Sequence, residues 1–125
     1  MSYELKWGDS GVQLSFKDEL DYYLIYRAHN EIYGNSRFED LKFIIVNLLE
    51  VKDIKISQNQ LLMISTIDKG ACRWNQHLKF SMILNEEKSN LRKAVSGYFD
   101  LMNGGQWKIK LFNCLEKSFE WSKKE

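Results

Sequence analysis

The chain predicts a single α/β domain: a mixed β-sheet of about five strands, opened by an N-terminal antiparallel hairpin, continued by strand-helix units and covered by about four helices. Three observations carry this. The runs Phe43 to Leu49, Leu78 to Leu84 and Trp107 to Leu111 are short, aliphatic and bounded by polar connectors, as buried strands are. Each is followed by a stretch of helical periodicity, and parallel strands need a crossover long enough to hold a helix. With 125 residues, 44% hydrophobic and 28% charged, the chain has the length and composition for one core without metal or disulfide support.

The hairpin comes first. Tyr3 to Trp7 and Val12 to Phe16 alternate with period two about Gly8-Asp9-Ser10-Gly11, the composition of a tight reversal. A first helix is expected from Asp18 and Glu19, whose charges suit the positive end of a helix dipole, to about Tyr33, with Gly34-Asn35 as a left-handed stop. On it Tyr22, Tyr26, His29 and Tyr33 fall within about 60° of one another and form an aromatic stripe at one margin of the buried face. Such a stripe packs at the helix edge with its hydroxyls in water, or lines a groove for a partner or an apolar ligand.

Phe43 to Leu49 has the continuous apolar character of a central strand, and Val51 to Ile56 is expected to run on irregularly to Ser57. Ser57 and Gln60 form a capping box for a second helix whose inner face would be Met63, Ile64, Ile67, Ala71 and Trp74. After the strand Leu78 to Leu84, Asn85 is placed as an N-cap, with Glu86 and Glu87 in the first turn of a third helix. Its stripe is Leu91, Ala94, Val95, Tyr98, Leu101 and Met102, and it stops at Asn103-Gly104-Gly105. Trp107 to Leu111 alternates as a strand near the sheet edge does. Asn113 and Glu116 suggest a second capping box for a closing helix anchored by Leu115, Phe119 and Trp121.

The order strand, strand, helix, then strand-helix units resembles the STAS-like fold of the sporulation anti-sigma-factor antagonist, and more closely its uncharacterised bacterial relatives. The resemblance is carried by "IYGNSRFEDLKFIIVNLLEV", by "ISTIDKGA" and by "KIKLFNCLEKSFEWS", and it spans nearly the whole chain. It implies a regulatory, non-enzymatic module. In regulatory members a serine after the buried strand, in an aspartate-serine-glycine context, is phosphorylated by a partner kinase; the matching place here is Lys55-Ile56-Ser57-Gln58, where only the serine is kept. Asn47 stands where relatives often carry an aspartate.

Chemistry beyond this is sparse. Neither His29 nor His77 belongs to a nucleophile or metal pattern, and Cys72 and Cys114 are expected as separate reduced thiols. The acidic pairs Asp18-Glu19, Glu39-Asp40 and Glu86-Glu87 fall at helix starts or connectors, and Gly104-Gly105 opens no helix that would hold a phosphate. Arg37, Lys42, Lys52 and Lys55 are interrupted by acids. Eighteen basic and seventeen acidic residues, a net charge of +1, give no field for nucleic acid. Met1 to Trp7 lacks the apolar core of a signal peptide and no run approaches the roughly 18 apolar residues of a membrane span, so a cytoplasmic protein is expected.

These features predict a protein-binding or regulatory module that uses the second helix and its preceding connector, with no cofactor and no metal. A carrier of an apolar small molecule or lipid is the second expectation and demands a cavity of roughly 300 Å³ beside the tyrosine stripe. An enzyme with an unrecognised site is the third, and demands a polar cleft joining His29 or His77 to an acid. Oligomeric state is open, a homodimer included.

Overall fold

A computed structural model describes residues 3–124. The strands are β1 (Tyr3–Trp7), β2 (Gly11–Asp21), β3 (Phe43–Lys55), β4 (Lys79–Ile83) and β5 (Lys108–Phe112). The helices are α1 (Tyr22–Tyr33), α2 (Gln58–Ala71), α3 (Ser89–Met102) and α4 (Leu115–Lys123). The strands lie in the order β1-β2-β3-β4-β5, with β1 antiparallel to β2 and every other neighbour parallel. This is the architecture the sequence predicts, with the isoleucine-valine run of β3 at its centre.

Alternation along β3 divides the interior. Ile44, Val46 and Leu48 join the large core shared with α1, α2 and α3, while Phe43 and Ile45 turn to the other face, where Ile83, Leu115 and Phe119 enclose them beneath α4. Gly11 is fixed by the same packing, because the Phe43 ring lies where a side chain at that position would be.

Several boundaries differ from expectation, and pairing explains most of them. β2 does not end near Phe16; it runs to Asp21, so Asp18 and Glu19 are strand residues and α1 begins at Tyr22. Ladder contacts from Lys17↔Glu50 to Asp21↔Lys55 and the complete burial of Val51 outweigh the helix signal of the two acids. The register shifts there are absorbed at Asp18, whose φ of 61° is left-handed. Asp21 is the true N-cap, its carboxylate accepting from the Leu24 amide at 2.9 Å. Gly34 ends α1 in a right-handed conformation, φ −80°, and not as a left-handed cap.

β3 likewise continues as a strand to Lys55. Past Phe16 and Asn47 the outer neighbours β1 and β4 no longer accompany it, and β2 and β3 project as a two-stranded ribbon. Near the start of α3 the Asn85 side chain accepts from the Glu87 amide in a local turn, and the helix opens only at Ser89. Asn113 does not cap α4 either: β5 runs to Phe112, which shifts the cap position to Cys114, without a side-chain cap bond.

Candidate functional site

The projecting ribbon positions Ser57. It carries the chain beyond the sheet, and Lys88 at the start of α3 fastens it by donating to the Val51 carbonyl at 2.9 Å. At its end Ser57 Oγ accepts from the Gln60 amide at 3.1 Å and the Gln60 side chain accepts from the Ser57 amide at 3.0 Å, the expected capping box. Ser57 is exposed and sits on a surface groove of about 260 Å³ between α2 and α3, with Gln58, Asn90 and Lys93 among its lining. The start of α2, with its positive dipole end, and Lys93 of α3 therefore border the same groove as Ser57. On the outer surface of α2 lie Leu62 and Met63, each about half exposed, and Trp74, 70% exposed, follows the helix.

This placement corrects the expected inner face of α2. Leu61, Ile64, Ser65, Asp68 and Ala71 are the buried residues, while Met63 and Trp74 point outward. Asp68 lies on this same inner face as Leu61, Ile64 and Ala71, and its partners are on α1 and α3.

Asp68 is completely buried and ties together all three helices of its face. His29 Nδ1 of α1 lies 2.8 Å from one carboxylate oxygen, which also accepts from the Tyr33 hydroxyl, and Tyr98 of α3 donates to the other oxygen at 2.5 Å. A buried carboxylate is tolerable when donors surround it in this way. Burial and then the neighbouring Asp68 charge push the Tyr33 and Tyr98 hydroxyls well above the usual tyrosine range. Cys72, one turn beyond Asp68, is buried, and burial raises its thiol as well; it and Cys114 are free.

The expected stripe is thus divided. His29 and Tyr33 turn inward to the carboxylate, so the Tyr33 hydroxyl is not in water, whereas Tyr22 is buried and stacks on the half-exposed Tyr26, ring centroids 5.9 Å apart. Sequence patterning missed Asp68. Its signal was an acid in helical register with Leu61, Ile64 and Ala71, opposite three donors on other helices.

The apolar cavity beside His29 encloses only about 50 Å³ and is walled by Phe16, Val46, Leu61 and Tyr98 among others. It does not provide the roughly 300 Å³ expected of a carrier. A larger cleft, about 380 Å³, adjoins only Tyr33 of the stripe and includes Asn35, Ser36, Glu39 and Trp74 in its open lining. His29 does meet an acid, but among packed core side chains and not in a polar cleft; His77 is exposed. Among the described residues no cluster of three metal-ligating side chains occurs, and no helix is long and apolar enough to cross a membrane.

No family model matches the chain, and no curated protein is similar to it in sequence. The likeness is to solved structures. A candidate anti-sigma factor antagonist from Thermotoga maritima superposes with a TM-score of 0.66 at 15% identity, over 98% of this chain and 95% of that one. The unphosphorylated anti-sigma factor antagonist SpoIIAA gives 0.61 at 12%, over 95% and 94%, and the phosphorylated Bacillus SpoIIAA 0.54 at 15%, over 96% and 98%. An uncharacterised DUF3478 protein with a SpoIIAA-like fold from Shewanella loihica gives 0.57 at 9%, over 96% and 91%. The chain has the STAS-like, SpoIIAA-like α/β fold. At these identities the likeness establishes architecture, and function rests on the site.

Proposed function

We infer that this protein is a cytoplasmic, non-enzymatic regulatory module that binds a protein partner through α2 and the β3-α2 connector, with Ser57 as a phosphate-accepting switch. The observation that carries the reading is the exposed Ser57 hydroxyl, held at a helix start on a groove that also presents Lys93. A phosphate there would lie at the positive end of the α2 dipole and in the groove that Lys93 borders, both of which favour added negative charge. The half-exposed Leu62 and Met63 on the outer surface of α2 supply adjacent apolar side chains that a partner could cover. The neighbouring folds include SpoIIAA in both phosphorylated and unphosphorylated forms, which supports the same reading.

The experiment compares the wild type with Ser57→Asp and Ser57→Asn. Both replacements keep a side-chain acceptor at the N-cap, so helix stability is held nearly constant, and only the aspartate adds charge. Proteins captured from the native cytosol are identified, and affinity for each is then measured with purified partner. Expected is a change of at least about tenfold for the aspartate variant alone. The same partners at the same affinities for all three forms would remove the switch, and a partner insensitive to Leu62→Glu and Met63→Glu would remove α2 as its surface.

A further inference from the structure

The sheet has two outer strands, and their sequences treat a second strand very differently. β1 presents Tyr3, Leu5 and Trp7 to the helical side, each half-buried, and Glu4 and Lys6 to the opposite, exposed side. β5 presents Lys108 and Lys110 on its corresponding exposed side. Neither outer edge pairs with another strand among the described residues. An open edge offers a row of unpaired backbone donors and acceptors, and natural sheets guard such rows with like charge.

β5 is guarded in this sense. An antiparallel copy of β5, centred on Ile109 or on Lys110, sets lysine directly against lysine. β1 behaves in the opposite way. With the two-fold axis at Leu5, the single register that overlaps all five residues, Glu4 lies opposite Lys6 of the second copy and Lys6 opposite its Glu4. Tyr3 meets Trp7, and Leu5 meets Leu5. Every residue then faces a complementary one, and the half-exposed apolar stripe of one copy is covered by that of the other.

We propose that β1 is a homodimerisation edge, joining two copies of this chain antiparallel about Leu5 into one continuous ten-stranded sheet. The axis is closed, so assembly stops at two. The surface lies on the outer strand away from the α2-α3 groove, and it is independent of the switch at Ser57. A five-residue strand pair buries little area, which places the dimer in the weak class.

The test is sedimentation equilibrium of the full chain to about 1 mM, the range in which small interfaces associate. Glu4 and Lys6 expose 68% and 69% of their side chains and make only a 4.0 Å contact with one another, so charge reversals there leave the fold intact, as circular dichroism would verify. Glu4→Lys and Lys6→Glu each bring like charges together at both symmetric positions and are expected to weaken the dimer by at least about tenfold. The double reversal E4K/K6E restores opposite charges and is expected to return affinity to within about threefold of wild type. A wild type monomeric throughout, a dimer indifferent to the single reversals, a double variant no tighter than the singles, or assembly beyond two copies would each overturn the proposal.

Discussion

Beneath α1, α2 and α3 the buried polarity is charged and shared: one carboxylate, Asp68, serves His29, Tyr33 and Tyr98 on three helices. Beneath α4, on the other face of the same sheet, the internal contact is neutral and simple. Ser81 of β4 and Ser118 of α4 bond hydroxyl to hydroxyl at 2.7 Å, and Lys79 at the margin donates to the Trp121 carbonyl at 3.0 Å and to that of Lys124. The two arrangements differ in how their cost is distributed. A buried charge is supported by all of its partners at once, so losing it strands several groups, whereas a hydroxyl pair involves only two. The first face should therefore fail collectively and the second locally.

The largest expected effect follows directly. Asp68→Ala removes the acceptor common to three buried donors and opens a gap between helices, and should lower unfolding free energy by about 3–5 kcal/mol. Urea denaturation followed by circular dichroism measures it. A loss near 1 kcal/mol would mean that water or rearrangement satisfies the donors, and that the two faces are not different in kind.

How this hub escaped the sequence is instructive. Strand order and the central place of β3 were legible because aliphatic runs report burial directly, and the Ser57-Gln60 box was legible because capping is local. Asp68 is neither aliphatic nor locally paired: its donors lie 39, 35 and 30 residues away. An apolar count over α2 therefore included Met63 and Trp74, which are exposed, beside the buried Ile64 and Ala71, and left out Asp68 on that inner face. The extension of β2 through Asp18 and Glu19 was hidden for the same reason, since it depends on pairing with Glu50 to Lys55 and not on any preference of its own residues.

The next effect sharpens the comparison through pH. Tyr33 and Tyr98 have pKa values raised above their ordinary 10.0 in the folded chain, by burial first and by Asp68 second. Above about pH 10 the unfolded chain releases these protons while the folded chain keeps them, so the folded state binds more protons and stability falls as pH rises. Each tyrosine should contribute about 1.4 kcal/mol per pH unit in that window. Tyr98→Phe removes one of the two, costing about 1.5–3 kcal/mol near neutral pH through the lost bond to a charged group, and making the alkaline decline shallower by that one-proton slope. Unfolding free energies of both proteins from about pH 8 to 11 give the difference, in which other titrating groups cancel. Equal slopes would show that Tyr98 does not hold its proton against the hub.

The smallest effect belongs to the α4 face and has the opposite sign. Ser122 is buried on the inner side of α4, and its hydroxyl has no hydrogen-bond partner among the described residues, unlike Ser118 one turn earlier. A buried hydroxyl without a partner has given up its water for nothing, and serine is also a poorer helix former than alanine. Ser122→Ala should therefore raise stability by about 0.5–1 kcal/mol. Ser118→Ala, which strands the Ser81 hydroxyl, should lower it by about 1 kcal/mol. Urea midpoints of the two variants, measured side by side, distinguish position from residue type. If both substitutions destabilise, Ser122 has a partner in solution, and the α4 face is held by a wider polar network than a single hydroxyl pair and the lysine at its margin.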